Sequence, residues 1–425
     1  MFLPHWPKNI NYQQDQDSVT KLLQILPNFG NPHLSLPPVI HVAGTNGKGS
    51  TIAFLQSILN QMGKRTHIYT SPHIFDCNER IKINSQKISD QYLTEILEEI
   101  RHNNHNIILN LFEALTLAAI LIFSRNAADF CLIEAGMGGR IDATNVIENK
   151  IATILTSISL DHEEFLGSYL AQIAHEKSYI MRYKIPVFSA FCAGEIKNQI
   201  TSRAKLNDSP LFYLGNEIVY QTQENTFDLC YKNLKFNNLP KPKLPGTHQI
   251  ENATLAIASI CNIFPNVSRE TISKGLTEVD WLFRLEKVNN NLNKLLKNPE
   301  SEIWFDAAHN IDGAQKLATW LNQQDQAQNF LIVGFTKNKT KKDFFIPFKN
   351  LVTEFLPIRV EGEPNPEERE DIAKIIAQMG LQYQDHADLL EAIFDVGKKA
   401  EQQKCRIIIC GSIYLARDLK KYAYY

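Results

Sequence analysis

The stretch HVAGTNGKGST, His41 to Thr51, decides how the rest of the chain is read. It continues the β-branched run VIHVA (39–43) and leads into GSTIAFLQSILNQM, whose apolar residues recur at helical spacing. Strand, glycine loop and helix, in that order, are the parts of a phosphate-binding loop. The strict form G-x-x-x-x-G-K-[ST] is nevertheless missed, because Gly44 stands three residues before Gly47 and Lys48 is followed by Gly49. A plain glycine turn is the competing reading of this loop taken alone. Glycines let a backbone approach phosphate closely, its N–H groups cradle the oxygens, and the following helix adds a positive end. Gly44, Thr45, Asn46, Gly47, Lys48, Gly49 and Ser50 are therefore the candidate nucleotide contacts. A magnesium ion there would need its hard oxygen ligands from elsewhere in the chain.

Working outward, short strand-like runs alternate with helical ones: THIYT (66–70), DFCLIE (129–134), IATILTSIS (151–159) and PVFSA (186–190), with a helix over SYLAQIAHEKSYIM (168–181). This is the rhythm of a mostly parallel sheet with helices on both faces. Residues 206–246 break it with short alternating runs and LPKPKLPGTH, which predicts a small antiparallel insertion. Helices are expected near 252–264 and 268–276. The asparagine-rich VNNNLNKLLKNPES (288–301) reads as a joint, after which the alternation restarts through EIWFD, NFLIVG and CRIIIC. The expected fold is α/β: a P-loop-containing, mostly parallel sheet domain over 1–285, a joint at 286–301, and a smaller Rossmann-like α/β domain over 302–425.

A formal net charge of −2 on 425 residues supplies no global basic field, so nucleic acid is not an expected partner. The longest strongly apolar run, ALTLAAILIF (114–123), is about half of what a bilayer span needs and predicts a buried helix without a membrane role. The first residues carry neither a basic leader nor a continuous apolar run, so no secretion signal is expected. Seven cysteines occur singly, with no C-x-x-C pair, as reduced thiols in the cytoplasm would.

In an open parallel sheet, ligands bind beyond the carboxyl ends of the strands. Thr70-Ser71 end the second strand, Glu134 ends the third, and Asp161-His162 lie beyond the fourth, so a hydroxyl, a carboxylate and an imidazole join the glycine loop on one edge. Ser71 and Glu134 are the candidates to replace the missing loop hydroxyl. Each has a plainer reading, Ser71 as a helix cap and Glu134 as the partner of Arg140. Lys177 shares a helix face with Leu170, Ile173 and Ala174. Either its stem is buried while the amine snorkels outward, or the amine is desolvated with a lowered pKa. His175 beside it reads as structural. The lysine-rich FTKNKTKKDFF (335–345) reads as a solvated loop.

HVAGTNGKGST, YTSPHIFDCNERI, FEALT, IEAGMGGRIDATNV, SLDHEEFLGSYLAQIAHEKSYI, HQIENA, FRLE, FDAAHN and CGSIYLA together resemble, in order, the motifs of the dihydrofolate synthase/folylpolyglutamate synthase family, a branch of the Mur-type ATP-dependent amide ligases. The resemblance implies ATP on the glycine loop and Lys48, and one or two magnesium ions held by Ser71, Glu134 and His162. It implies further ATP contacts from Asn252, Arg284 and Asp306. Phe112 and Glu113 would lie near a pterin substrate, and His309 and Ser412 would join the substrate contacts. Lys177 would be carbamylated and, with Lys48 and His162, serve catalysis. Dihydropteroate, tetrahydrofolate derivatives and L-glutamate are the implied partners, with potassium as a further candidate ion and a cytoplasmic monomer as the expected state. The implied reaction activates a carboxylate as an acyl phosphate and couples it to the glutamate amine, for dihydropteroate and folates alike; the alternatives are a folylpolyglutamate synthase alone and a nucleotide-binding module that has lost catalysis. Three departures stand out: Leu282-Phe283 where relatives usually carry Pro-Gly, no proline after Asn310, and a degenerate N-terminal pterin segment in which only Asp17 or Lys21 could serve.

Overall fold

The computed structural model describes residues 17–288, 291–337, 341–363 and 365–422. The N-terminal pterin segment before Asp17 and part of the lysine-rich stretch (338–340) lie outside the described residues. The chain divides into two compact units, one of residues 1–243 and 249–280, the other of 244–248 and 281–425. The stretch 286–301, read as a joint, falls inside the second unit.

The first unit is built on an eight-stranded sheet. Its strands are β1 (Val39–Ala43), β2 (Thr66–Tyr69), β3 (Ile81–Ile83), β4 (Gln86–Lys87), β5 (Phe130–Glu134), β6 (Lys150–Leu155), β7 (Val187–Ser189) and β8 (Leu211–Tyr213). They lie in the order β4-β3-β2-β5-β1-β6-β7-β8, with β3 alone reversed and so paired antiparallel to both β2 and β4. The helices of this unit are α1 (Ser18–Ile25), α2 (Lys48–Gln61), α3 (Asp90–Asn103), α4 (Leu111–Arg125), α5 (Glu163–Leu166), α6 (Leu170–Ser178), α7 (Gly194–Leu206), α8 (Thr247–Ile263, whose first two residues fall in the second unit) and α9 (Arg269–Thr277). The central strands β1, β2 and β5 are buried at every position. That is why they read as continuous apolar runs and not as alternating ones. ALTLAAILIF is indeed a buried helix, the body of α4, packed in one apolar cluster with Tyr69, Ile96, Ile100 and Ile133. The expected insertion is a three-stranded antiparallel sheet of β9 (Ile218–Thr222), β10 (Thr226–Tyr231) and β11 (Leu234–Pro240). It starts later than 206, since Leu211–Tyr213 pairs in parallel with β7 as part of the main sheet.

The second unit holds β12 (Glu286–Lys287), β13 (Glu302–Phe305), β14 (Gln328–Val333), β15 (Glu354–Pro357) and β16 (Cys405–Cys410), in the order β12-β13-β16-β14-β15. Only β12 runs antiparallel. Its helices are α10 (Ile311–Leu321), α11 (Lys341–Phe345), α12 (Arg369–Gln378), α13 (Leu389–Lys399) and α14 (Leu415–Tyr422). Leu317, Leu321, Leu331, Val333, Phe344, Phe348 and Ile372 meet in its core. None of the seven cysteines is joined in a disulfide, and among the described residues no helix is long and apolar enough to cross a membrane.

Candidate functional site

The topology explains where the site lies. From β1 the chain crosses through α2 to β2, two places to one side, and later places β6 against β1 on the other. A crevice opens where the strand order reverses, at the carboxyl ends. The loop 44–47 fills it. Gly44 and Gly47 take positive φ values of 153° and 88°. A Cβ on Gly44 would lie 1.8 Å from Thr156 Oγ1, and one on Gly47 would lie 2.4 Å from Asn252 Oδ1, so both glycines are demanded by contact as well as by conformation.

Residues 156–159, expected to extend the fourth strand, do not pair as one; β6 stops at Leu155. They instead hold the loop from behind: Ser157 O accepts the Thr45 N–H at 2.7 Å, Ser159 O accepts from Thr45 Oγ1 at 3.1 Å, and Ser159 N–H donates back to that hydroxyl at 3.1 Å. Gly47, as N-cap of α2, has no side chain with which to cap the helix. The first-turn N–H groups of α2 are thereby left to an anion. Within that turn, Ser50 Oγ is buried, with the residue 1% exposed, and has no hydrogen-bond partner among the described residues. A buried hydroxyl with no partner is costly unless a ligand satisfies it, so this loop fits a polyphosphate.

Two lysines converge on the loop. Lys48 Nζ donates to the carbonyls of Gly44 and Thr45, both at 3.2 Å, and lies 3.9 Å from Glu134 Oε1. Lys177 Nζ donates to the same Gly44 carbonyl at 2.9 Å. Of the two readings of Lys177, the desolvated one holds: the residue is 4% exposed and its amine points inward. Burial, and then the nearby Lys48 charge, pull its pKa down to about 7, with Asp161 and Asp142 opposing. Ile173 and Ala174 are buried beside it, whereas Leu170 is 39% exposed and does not share the buried face.

Glu134 Oε2 accepts the Ser71 backbone N–H at 3.1 Å, so the two residues proposed to replace the loop hydroxyl do meet. Arg140 pairs with Glu176 at 2.8 Å. His162 has a left-handed φ of 51° and receives its own backbone contact from Asp161 Oδ1, which accepts the His162 N–H at 2.9 Å. The Asp161 charge also acts on Lys177. Among the described residues, no three His, Cys, Asp or Glu side chains group so as to hold a metal ion. Ser71, Glu134 and His162 offer hard oxygens and one imidazole, a donor set that suits magnesium only when phosphate, water or a further carboxylate completes it. Asn252 Nδ2 donates to the buried Gln249 Oε1 at 3.1 Å, which turns its Oδ1 toward Gly47.

Phe112 packs where a Cβ on Gly136 would come within 2.3 Å of its ring, just past the end of β5. Glu113 is buried in a capping box with Asn110 and also accepts from Ser18 Oγ at 2.7 Å, with Lys21 Nζ 3.7 Å away. Asp17, the other N-terminal candidate, caps α1 through the Thr20 N–H. A carboxylate passed over in the sequence, Asp142, sits nearby. Burial pushes its pKa up, while N–H groups of Met137 and Thr144 and the Thr144 hydroxyl donate to it. Its only sequence signal was its place after the glycines in GMGGRIDATN.

In the second unit, Asp306 follows β13 and Ser412 follows β16, its neighbour in the sheet. Gly411 N–H donates to Ala308 O at 2.7 Å, bringing the two loops together. Asp306 is buried, which raises its pKa against the opposing charge of Arg284, and its oxygens accept the Leu285 and Ala308 N–H groups at 2.9 and 2.8 Å. His309 Nδ1–H donates to Ala307 O at 2.9 Å, and Ser412 Oγ accepts the Tyr414 N–H at 3.3 Å.

Residues 42–260 match the model of the Mur ligase middle domain, and 288–422 that of the dihydrofolate synthetase C-terminal domain. The chain is 30% identical to the dihydrofolate synthetase of Saccharomyces cerevisiae over 94% of its own length and 96% of the yeast protein's. It is 31% identical to the dihydrofolate synthase/folylpolyglutamate synthase of Bacillus subtilis, over 78% of its length and 77% of the other's. Its fold superposes on the folylpolyglutamate synthase of Mycobacterium tuberculosis complexed with ADP and AMPPCP at a TM-score of 0.84, with 25% identity and 95% of both chains covered.

Proposed function

The chain belongs to the dihydrofolate synthase/folylpolyglutamate synthase family of Mur-type ATP-dependent amide ligases, and on that premise we propose that it joins L-glutamate to dihydropteroate and to folates. The observation that carries this reading is the meeting of Lys48, Lys177, Glu134 and Ser71 around one glycine loop. The acceptor carboxylate attacks the γ-phosphorus of ATP, ADP leaves, and an acyl phosphate results. The glutamate amine then attacks the activated carbonyl, and the collapsing tetrahedral intermediate expels phosphate. Two anions meet in the first step, so stabilisation of charge dominates catalysis. Lys48 neutralises charge on the transferring phosphoryl oxygens, and the loop N–H groups with Ser50 hold the phosphates. Asn252, held by Gln249, contributes to the nucleotide site, and Arg284 and Asp306 are the further ATP contacts that the family resemblance implies. Phe112 lies on the pterin side, and His309 and Ser412 receive glutamate. Magnesium, held by Ser71, Glu134 and His162, would supply Lewis-acid neutralisation of the phosphates.

The Lys177 amine, its pKa lowered to about 7 so that a large share is neutral at that pH, adds to carbon dioxide and releases a proton to give a carbamate, the extra carboxylate the donor set needs. A second reading, dihydrofolate synthesis alone, draws support from the C-terminal match and from the yeast relative, which spans more of the chain than the bifunctional one. ADP release by the purified protein, measured with L-glutamate and either dihydropteroate or tetrahydrofolate, tests both. Activity with both acceptors supports the first reading, and activity with dihydropteroate alone supports the second. Activity with neither would sink the proposal.

A further inference from the structure

Arg284 stands between two bulky residues that both adopt left-handed backbone, Phe283 at φ 63° and Leu285 at φ 46°. Side chains of this size rarely enter that region, because Cβ crowds the neighbouring carbonyl. Such residues persist only where their surroundings over-determine them, and they cluster at functional sites. Here the over-determination is visible. Phe283 N–H donates to Glu286 Oε2 at 2.7 Å, and Leu285 N–H donates to Asp306 Oδ2 at 2.9 Å. The Phe283 ring meets Phe305 of β13 edge-on, with centroids 5.2 Å apart. Leu285 is buried in the core cluster with Ala308, Leu317 and Val333. Both flanks are thus pinned in backbone and side chain alike, and Arg284 Nη1 folds back to donate to the Phe283 carbonyl at 2.9 Å.

We infer that Phe283 and Leu285 are positioning residues that fix how Arg284 is presented to the nucleotide. The inference rests on the reading of Arg284 as an ATP contact. An arginine on a relaxed loop must give up its rotamer freedom when it binds; one held by a locked backbone has already done so, which strengthens nucleotide binding without touching the chemical step. Leu285 is woven into the core, so Phe283, whose ring is only half-buried, is the residue to test.

The test measures KM for ATP and kcat in R284Q, F283G, F283L, F283Y and the double variant F283G/R284Q, with urea unfolding to verify that each folds. Expected are a rise in KM for ATP of about fivefold to tenfold in F283G with kcat within about twofold, and a larger rise in R284Q. F283Y, which keeps the ring, should retain the wild-type KM, and the double variant should match R284Q within about twofold, since Phe283 acts through Arg284. F283L, which keeps apolar bulk, serves if F283G does not fold, and should raise KM in the same sense. A raised KM in R284Q with F283G and F283L unchanged, or losses that multiply in the double variant, would overturn the proposal alone. A wild-type KM in R284Q would overturn the assignment of Arg284 and the proposal with it.

Discussion

Two loops of this protein use the same rare backbone region for opposite ends. In the loop 44–47 it is entered by Gly44 and Gly47, and the space where their Cβ atoms would sit is filled by Thr156 and Asn252. Around Arg284 it is entered by Phe283 and Leu285, whose side chains are anchored to an aromatic neighbour and to the core. Glycine serves where the main chain itself is the binding surface and must come close to a ligand. Bulky residues serve where the main chain is a mount, and the conformational cost is offset by packing that locks one side chain.

Breaking the first loop's charge should have the largest effect. Lys48→Ala removes the amine that Gly44 O, Thr45 O and Glu134 all meet, and should lower the rate of ADP formation by about a thousandfold or more with the urea midpoint little changed. Full activity in that variant would refute the loop assignment. Next comes the backbone contrast itself. Gly44→Ala forces a Cβ into the Thr156 hydroxyl and should cost about 3 kcal/mol of stability, whereas Phe283→Gly, which trades lost packing against relief of left-handed strain, should cost about 1 kcal/mol or less. Equal losses by urea unfolding would dissolve the distinction between the two loops.

A further expected effect concerns pH. The Lys177 pKa is lowered to about 7 from 10.5, so between those values the unfolded chain holds a proton that the folded one has released. Stability conferred at this position therefore rises with pH through that window and is least below pH 7. Lys177→Met, which never carries the charge, should gain on unmodified wild type at pH 6 and lose roughly half or more of that gain by pH 9; a difference constant across this range would mean that the amine is not desolvated. The same titration frees the amine for carbon dioxide, so a carbamate mass on Lys177 should grow from pH 6 to pH 8 at fixed bicarbonate.

Much of this was legible before any coordinates. VIHVA, DFCLIE and CRIIIC are buried on both faces and so cannot hide their composition, and the strand-end rule then placed Ser71 beside Glu134. Lys177 was found because Ile173 and Ala174 mark its helix face. What was misread shares one cause. Ser157 and Ser159 look like strand, yet their backbone is committed to Thr45, more than a hundred residues away in the chain. Arg140 turns to Glu176, so the plainer reading of Glu134 as its partner falls; β15, by contrast, is only four residues long and gave no alternation to find.

The chain's composition and ordered motifs gave away, unaided, its α/β class and its family and pointed to the loop proposed for the nucleotide, because periodicity and local turn residues act over a few positions. Coordinates alone decided that Thr156 and Asn252 close the space over two glycines, that Gln249 turns Asn252, that Asp142 is a buried carboxylate, and that Phe283 and Leu285 brace Arg284. Each of these is a contact between side chains or between side chain and backbone set by how strands are ordered and loops are packed, and local sequence carries no record of which distant residue will fill a given ångström of space.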